Sequence, residues 1–368
     1  MGAITDIFRT FGPEYLRKYP NMPRQHRKVI HAVINCRSGE YGAAFYHCQS
    51  CGERHRVDRS CGNRHCPQCQ YHKTRQWLKS QLKKALPVNH NMLTFTVPAL
   101  LRPFCRANQQ AAYSAMFKTS AEAIKTLFKD PRFVGSELPG FTGILHTWGR
   151  QLPYHPHIHY IVPAGGLSAD RREWLAARNN FYLPVRALSK IYKTRFKAEM
   201  QRLGLVNQID PGVWDAEWIV NCRAVGNPEA SLKYLAPYVF RVAISDSRIV
   251  AADNRSVTFR YRKTGSRRFR KTSLPVMDFI SRFLQHVLPA GFMKVRHYGF
   301  MNANCAVTVH ALRKIVAACL RDLSLLKKDN AEQPAAAEWQ GPFCPRCGNR
   351  LVYLFSIIPG IPCRGGPG

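Results

Sequence analysis

His155-Pro156-His157-Ile158-His159 places three imidazoles on alternate residues of one short segment. The residues that follow, Tyr160-Ile161-Val162-Pro163, are apolar or β-branched, which is typical of a strand. Because side chains alternate between the two faces of a strand, all three imidazoles lie on the same face. A same-face row of imidazoles is a candidate metal site, so this segment predicts both a strand and its chemistry.

The pattern around this segment alternates between strands and helices. We predict further strands at 92–97, 141–148, 214–222 and 256–262, and helices at 109–129, 188–203, 277–287 and 305–326. The strand at 141–148 and the histidine strand are close enough in sequence to pair as a hairpin. We therefore expect an α+β fold built on an antiparallel sheet, with the histidine strand near its centre.

The charge of the chain points to a polyanionic partner. The 368 residues include 55 Lys and Arg against 22 Asp and Glu, a formal net charge of +33. Such an excess repels itself unless it is neutralised, and nucleic acid is the obvious partner. The sequence begins without a signal-peptide pattern and contains no apolar run of membrane-spanning length, so we expect a cytoplasmic protein without a membrane partner.

Cysteines are frequent in the first 88 residues. Cys48-x2-Cys51 is followed by Cys66-x2-Cys69, the spacing of a structural four-cysteine Zn²⁺ site. Such a site would stabilise a block that has little apolar material of its own. Four further side chains could replace a cysteine or join a second ion, namely Cys61, His65, His47 and His55.

A second cysteine pair lies near the other end of the chain. Cys344 and Cys347 have the same x2 spacing, but no partner pair is evident beside them. Two alternatives remain open for this pair: it is half of a metal site that distant residues complete, or it binds no metal.

Basic residues surround the first cysteine block and recur in the dense run at 260–271. Together with nearby aromatic residues they suit phosphate contacts and base stacking, although a solvated surface is the alternative for each of them. The residues that we predict to contact DNA are Arg54, Arg64, Arg75, Lys233, Arg267 and Arg268.

Two tyrosines four residues apart follow a helix start at Asn227-Pro228-Glu229. Tyr234 and Tyr238 would share one face of this helix, and Pro237 would bend it. By itself such a pair indicates only packing.

Four segments taken together resemble a known family. They are the CxxC…HCPxC block at 48–69, LHTWG…HPHIHYIVPAGGLS at 145–168, PEASLKYLAPYVFRVAIS at 228–245 and FLQHVLPAGFMKVRHYGF at 283–300. In this order they resemble the two-tyrosine rolling-circle transposases of the IS91 family, which belong to the HUH (His-hydrophobic-His) endonuclease superfamily.

The resemblance implies a role for each chemical group. His157 and His159 would be the His-hydrophobic-His pair that binds a catalytic Mg²⁺ or Mn²⁺, with His155 as the candidate third ligand. Tyr234 and Tyr238 would be nucleophiles that form 5′-phosphotyrosine links. The DNA partners would be single-stranded or hairpin DNA at the element ends, and target DNA.

The resemblance also suggests a division of the chain. We expect a zinc-binding DNA-recognition domain at 1–88, an HUH endonuclease domain at 89–300 and a C-terminal helix with the CxxC tail at 301–368. Two rival functions are a replication initiator of the same superfamily and a catalytically silent zinc-dependent DNA-binding regulator. The sequence does not predict the oligomeric state.

Overall fold

The structure is a computed structural model. It describes residues 2–177, 183–226, 243–263, 266, 268–320 and 341–360, together with the helical residues 229, 232, 233, 236 and 239. The helices are α1 (Ala3–Lys18), α2 (Arg24–Ile34), α3 (Gln70–Lys84), α4 (Arg102–Ala107), α5 (Gln109–Phe128), α6 (Val185–Arg202), α7 (Val276–Leu284) and α8 (Val309–Leu320). Among the described residues, no helix combines the length and the apolar character needed to cross a membrane.

A five-stranded antiparallel sheet carries the histidine segment. The strands among the described residues are β1 (Ala43–His47), β2 (Arg54–Asp58), β3 (His90–Thr96), β4 (Phe141–Trp148), β5 (Tyr154–Pro163), β6 (Gly165–Leu167), β7 (Trp174–Ala176), β8 (Ile219–Gly226), β9 (Ile249–Ala252), β10 (Ser256–Arg262), β11 (Phe269–Pro275), β12 (Val295–Tyr298) and β13 (Val352–Ile357). The central sheet has the order β12-β4-β5-β3-β8. The predicted α+β class with an antiparallel sheet is therefore confirmed, and β5 is the middle strand.

One face of the central sheet packs against α5 and α6. Ile158, Tyr160 and Val162 alternate along β5 and are buried in this core. The Tyr160 ring meets Phe95 edge to face at 5.7 Å, and the Tyr160 hydroxyl hydrogen bonds Ser120 of α5 at 2.7 Å. The apolar set of β5 thereby turns the histidines, which alternate with it, to the opposite face.

The opposite face is covered near one end by α3 and by the helical residues between 229 and 239. Leu232 and Val239 form a buried cluster with Ile144 of β4 and Ile161 of β5, and Trp77 of α3 packs against it. Leu232 and Val239, which flank the two tyrosines in sequence, thus pack on the histidine face of the sheet.

The N-terminal helices pack against the later part of the chain. Along α7, the buried side chains recur with helical spacing at Val276, Phe279, Ile280 and Phe283, and Phe283 meets Phe8 of α1 edge to face at 5.1 Å. Their shared core also includes residues of β10 in the three-stranded sheet β11-β10-β9. This core contains residues from both sides of position 88. The domain boundary predicted there stays a prediction.

A separate three-stranded sheet joins the two ends of the chain. Its order is β13-β1-β2, and β13 pairs antiparallel with β1 from Ala43 opposite Ile357 to His47 opposite Val352. Strand β13 therefore packs beside the N-terminal block, whereas α8 packs against Leu86, Trp174 and Phe300 in a third cluster.

Candidate metal centres and the groove around them

Three histidines converge on the face of the central sheet that is opposite α5 and α6. His146 of β4 lies directly opposite His157 of β5, and His159 follows on the same face. The ligand nitrogens of these three side chains all lie within 4.8 Å of one another. The ring centroids are 5.4 Å apart for His146 and His157, 4.6 Å for His146 and His159, and 4.8 Å for His157 and His159.

Hydrogen bonds fix the orientation of two of these rings. The Nδ1 of His157 lies 2.7 Å from the His155 carbonyl oxygen, and because a carbonyl only accepts, this Nδ1 carries the proton and donates it. The Nδ1 of His159 lies 2.9 Å from the Thr94 hydroxyl oxygen. With both Nδ1 atoms engaged in this way, the Nε2 atoms remain available as metal ligands.

The protonation state also suits a metal. Burial lowers the pKa of His159 to about 4, and burial likewise lowers the pKa of His146 and of His157 well below the ordinary histidine value. All three imidazoles are therefore neutral at pH 7, which is the form that binds a cation. Three converging imidazole nitrogens form a donor set for a divalent metal ion.

The third member of this group differs from the predicted one. His155 contacts His157, at 5.1 Å between ring centroids, but it is not among the three residues whose ligand atoms converge. Residues two apart on a strand are about 6.6 Å apart, so a row of three spans about 13 Å and cannot meet at one ion. Neighbouring strands are only about 4.8 Å apart, and β4 therefore brings His146 alongside the pair.

The histidines open into a basic groove of about 570 Å³. The other residues that line it are Trp148, Gly149, Arg150, Gln151, Pro153, His155, Arg248, Tyr261, Arg262 and Lys263. None of these described lining residues is acidic. Arg248 is held in place because its guanidinium donates to the backbone oxygens of Arg260 and Arg150 at 2.8 and 2.6 Å. The groove is suited to a phosphodiester chain beside the histidines.

The two predicted nucleophiles, Tyr234 and Tyr238, and the predicted DNA contact Arg267 lie outside the described residues. Lys233 is described: its side chain is exposed on the tyrosine segment and its Nζ lies 2.6 Å from Glu229 Oε1.

The four cysteines predicted to share one zinc ion belong to two separate groups, so this prediction is wrong. Cys66 and Cys69 lie with Cys61 and Cys36, while Cys48 and Cys51 lie with the C-terminal pair. The reason is geometric: residues 48–51 form the tip of the β1–β2 hairpin, whereas Cys69 begins α3. The x2 spacing identifies half-sites but does not say which halves pair.

The first group fits tetrahedral zinc. The Sγ atom of Cys69 lies 3.6 Å from that of Cys36 and 3.4 Å from that of Cys61. A tetrahedral ion with Zn–S bonds of about 2.3 Å places sulfurs about 3.8 Å apart. The hydrogen bond with Cys61 lowers the pKa of the Cys69 thiol, which favours the thiolate that zinc needs. Cys36, a single cysteine just after α2, could not be predicted from a CxxC pattern.

Two residues of the zinc block dock it onto the segment at 288–292. His65 is buried, and its Nε2 accepts a hydrogen bond from the Leu288 backbone N–H at 3.1 Å, so His65 is not with the sulfurs. Arg64 donates to the backbone oxygens of Phe292 and Pro289 at 2.5 and 2.7 Å. These contacts give both residues a docking role, and the DNA contact predicted for Arg64 stays a prediction.

The remaining predicted DNA contacts are exposed. Arg54 lies on β2, Arg75 on α3 and Arg268 directly before β11. Their side chains face solvent, where an anionic partner can reach them.

Comparison with known proteins gives concordant matches over most of the chain. A family model described as "Putative transposase" matches residues 140–308, and one described as "Transposase zinc-binding domain" matches residues 7–97. A protein from Sinorhizobium fredii (strain NBRC 101917 / NGR234) named "Putative transposase y4qJ" is 33% identical over 389 residues, covering 97% of this chain and 96% of the relative. The "Transposase for insertion sequence element IS801" of Pseudomonas savastanoi pv. phaseolicola is 26% identical over 364 residues, covering 92% of this chain and 85% of that protein. No solved structure matches the chain. The zinc-binding domain, the histidine-bearing sheet and these relatives agree, and the chain belongs to the IS91-type family of insertion-sequence transposases.

Proposed function

We propose that this transposase nicks and rejoins single-stranded DNA at the ends of its insertion sequence through a 5′-phosphotyrosine intermediate. The observation that carries the proposal is the convergence of His146, His157 and His159 at the wall of a basic groove. The matches to transposases favour this function over a replication initiator or a silent regulator.

The nucleophile in this proposal is Tyr234 or Tyr238. Support comes from their sequence neighbours, because Leu232 and Val239 pack on the same face of the sheet that carries the three histidines. The phenol oxygen attacks the phosphorus, its proton passes to solvent, and a tyrosine–phosphate bond replaces the bond to the 3′ oxygen. The 3′ oxygen leaves and takes up a proton. The bond energy is kept in the phosphotyrosine, so the reverse attack by a 3′-OH rejoins strands without ATP.

The histidine group would hold Mg²⁺ or Mn²⁺, which when bound polarises the phosphate and stabilises the charge that develops on it. The chain's own residues have the complementary tasks. The Thr94 hydroxyl orients His159, and the His155 carbonyl orients His157. Arg150, Arg248 and Arg262 in the groove would neutralise the phosphates on either side of the cut.

The substrate of the groove would be a single strand, including the strand of a hairpin. Its wall includes Tyr261, which is half-buried, and a single strand offers unpaired bases that can stack on such a ring. A duplex keeps its bases paired inside the helix and cannot use this contact. We propose that the exposed residues Arg54, Arg75, Lys233 and Arg268 contact phosphates of the same or flanking DNA, and we propose the same contact for Arg267.

Labelled oligonucleotides from the element ends test this proposal. We expect the full-length protein to cut a single strand in Mg²⁺ or Mn²⁺, to leave a matched duplex uncut, and to lose cleavage in EDTA and in His157→Ala. The control is His297→Ala, because His297 lies on the same sheet but outside the groove. Equal cleavage of both substrates, or full cleavage by His157→Ala, would contradict the proposal.

A further inference from the structure

The second cysteine group is assembled from the two ends of the chain. The Sγ atoms of Cys48 and Cys347 lie 3.4 Å apart, and those of Cys51 and Cys344 lie 3.6 Å apart. All four ligand atoms lie within 4.8 Å of one another. We infer that Cys48, Cys51, Cys344 and Cys347 form a second structural zinc site, which joins the C-terminal segment to the N-terminal block.

Both halves of this site have the same backbone turn. In the first half, the Gly52 N–H donates to the Cys48 carbonyl at 2.9 Å, and the Cys48 N–H donates to the Glu53 carbonyl at 2.9 Å. In the second half, the Gly348 N–H donates to the Cys344 carbonyl at 2.8 Å, and the Cys344 N–H donates to the Asn349 carbonyl at 2.7 Å.

The glycine in each turn is required by its backbone conformation. Gly52 has φ +73° and Gly348 has φ +74°, values in the left-handed region that side chains rarely adopt. Two unrelated stretches of sequence thus adopt one Cys-x2-Cys-Gly turn and face each other. Such matched turns present both thiolates of each pair to a shared ion.

The sheet that carries this site has little apolar stabilisation of its own. Its buried cluster consists of Cys48, Cys344 and Leu351. On β13, Tyr353 and Phe355 are 54% and 51% exposed. A small sheet with so little buried apolar surface needs another source of stability, and a structural metal is one such source.

Disulfides do not explain these contacts. Bonded sulfurs are about 2.05 Å apart, far closer than the 3.4 and 3.6 Å separations between the two halves. The observed distances instead approach the separation of about 3.8 Å expected around tetrahedral zinc. Nearby, His55 Nε2 lies 3.2 Å from the Cys344 Sγ and can hydrogen bond it as an outer partner of the ligand.

This site makes the N-terminal hairpin dependent on the C-terminal segment. The linked cysteines are 299 and 293 residues apart in sequence, so the ion binds fully only when both ends of the chain are present. The β1–β2 hairpin bears Arg54, one of the exposed basic residues. Changes at Cys344 and Cys347 should therefore alter the order of β1.

Zinc content of the full-length protein tests the inference. Native mass spectrometry under reducing conditions should show two zinc ions per chain for the wild type and one for Cys344→Ser/Cys347→Ser. The matched control is Cys305→Ser/Cys319→Ser, which removes two other C-terminal cysteines that belong to neither group. The control should retain two ions.

Amide hydrogen exchange of the same proteins provides a second measurement. Exchange in β1 should increase in Cys344→Ser/Cys347→Ser and stay unchanged in the control. A wild-type chain with one zinc ion would overturn the inference whether or not the variant folds. A Cys344→Ser/Cys347→Ser variant that keeps two ions would also overturn it.

Discussion

Replacing Thr94 by valine tests how the histidine group is oriented. Thr94 lies opposite His159 in the β3–β5 pairing, and its hydroxyl oxygen is 2.9 Å from His159 Nδ1. Valine keeps nearly the same shape but cannot hydrogen bond, so the His159 Nδ1 loses its partner. Leaving such a group unsatisfied costs about 1–3 kcal/mol. Since about 1.4 kcal/mol corresponds to a factor of ten, metal affinity should fall roughly 10- to 100-fold.

The assay is cleavage of a labelled single strand at increasing Mn²⁺. The Mn²⁺ concentration for half-maximal cleavage by Thr94→Val should rise by about the same 10- to 100-fold factor, and saturating Mn²⁺ should restore most of the rate. Affinity for the strand without metal should not change.

Thr142→Val is the matched control for this prediction. Thr142 lies on the neighbouring strand β4, and its hydroxyl makes the same type of bond, 2.9 Å long, to His297 Nδ1 outside the groove. This variant should keep the wild-type Mn²⁺ requirement. An unchanged Mn²⁺ requirement in Thr94→Val, or an equal shift in both variants, would show that the Thr94 hydroxyl does not orient His159.

Two further predictions follow from the same sheet. His146→Ala should abolish cleavage because it removes a converging ligand, whereas His155→Ala should retain cleavage. Gel assays of strand cleavage test both variants, and an active His146→Ala or an inactive His155→Ala would contradict the prediction. His90 and His286 are buried as neutral imidazoles because burial lowers their pKa to about 4 and about 3. Since the unfolded chain has an ordinary pKa of about 6.5, it binds more protons below that value, and the stability contributed by these residues is present above pH 6.5 and lost as pH falls towards 4. Urea unfolding at pH 7 and pH 5 should show this loss in the free energy of unfolding, at most about 1.4 kcal/mol per pH unit for each histidine. If His90→Gln/His286→Gln lost as much stability between pH 7 and pH 5 as the wild type, the prediction would be contradicted.

The sheet could be predicted from sequence because alternation is a local property. The strand β5, its hairpin with β4 and its central place all follow from apolar and imidazole residues that alternate within single segments. The predicted strand at 214–222 is displaced to Ile219–Gly226, because Pro211–Trp214 form a short 3-10 helix after Asp210. The proline and the Asp210 side chain, which accepts from the Gly212 N–H, favour that turn.

The sites could be predicted only in part because their ligands come from separate segments. His146 belongs to a neighbouring strand, and its position depends on the pairing register of β4 with β5. Cys36 lacks a CxxC partner, and the pairing of Cys48 with Cys347 depends on the pairing of β13 with β1, which no local pattern in either strand specifies. Register and long-range pairing are set by tertiary packing, which a single sequence pattern does not contain.

Peptide mapping of the covalent protein–DNA product tests the central claim most directly. Full-length protein is incubated with labelled single strands from its element ends in Mn²⁺, digested with protease, and the DNA-linked peptide is identified by mass spectrometry. We expect an adduct on Tyr234 or Tyr238, cleavage by at least one of Tyr234→Phe and Tyr238→Phe, and no adduct in the double variant or in His157→Ala. An adduct that persists in Tyr234→Phe/Tyr238→Phe would contradict it, since the nucleophile would then lie elsewhere in the chain.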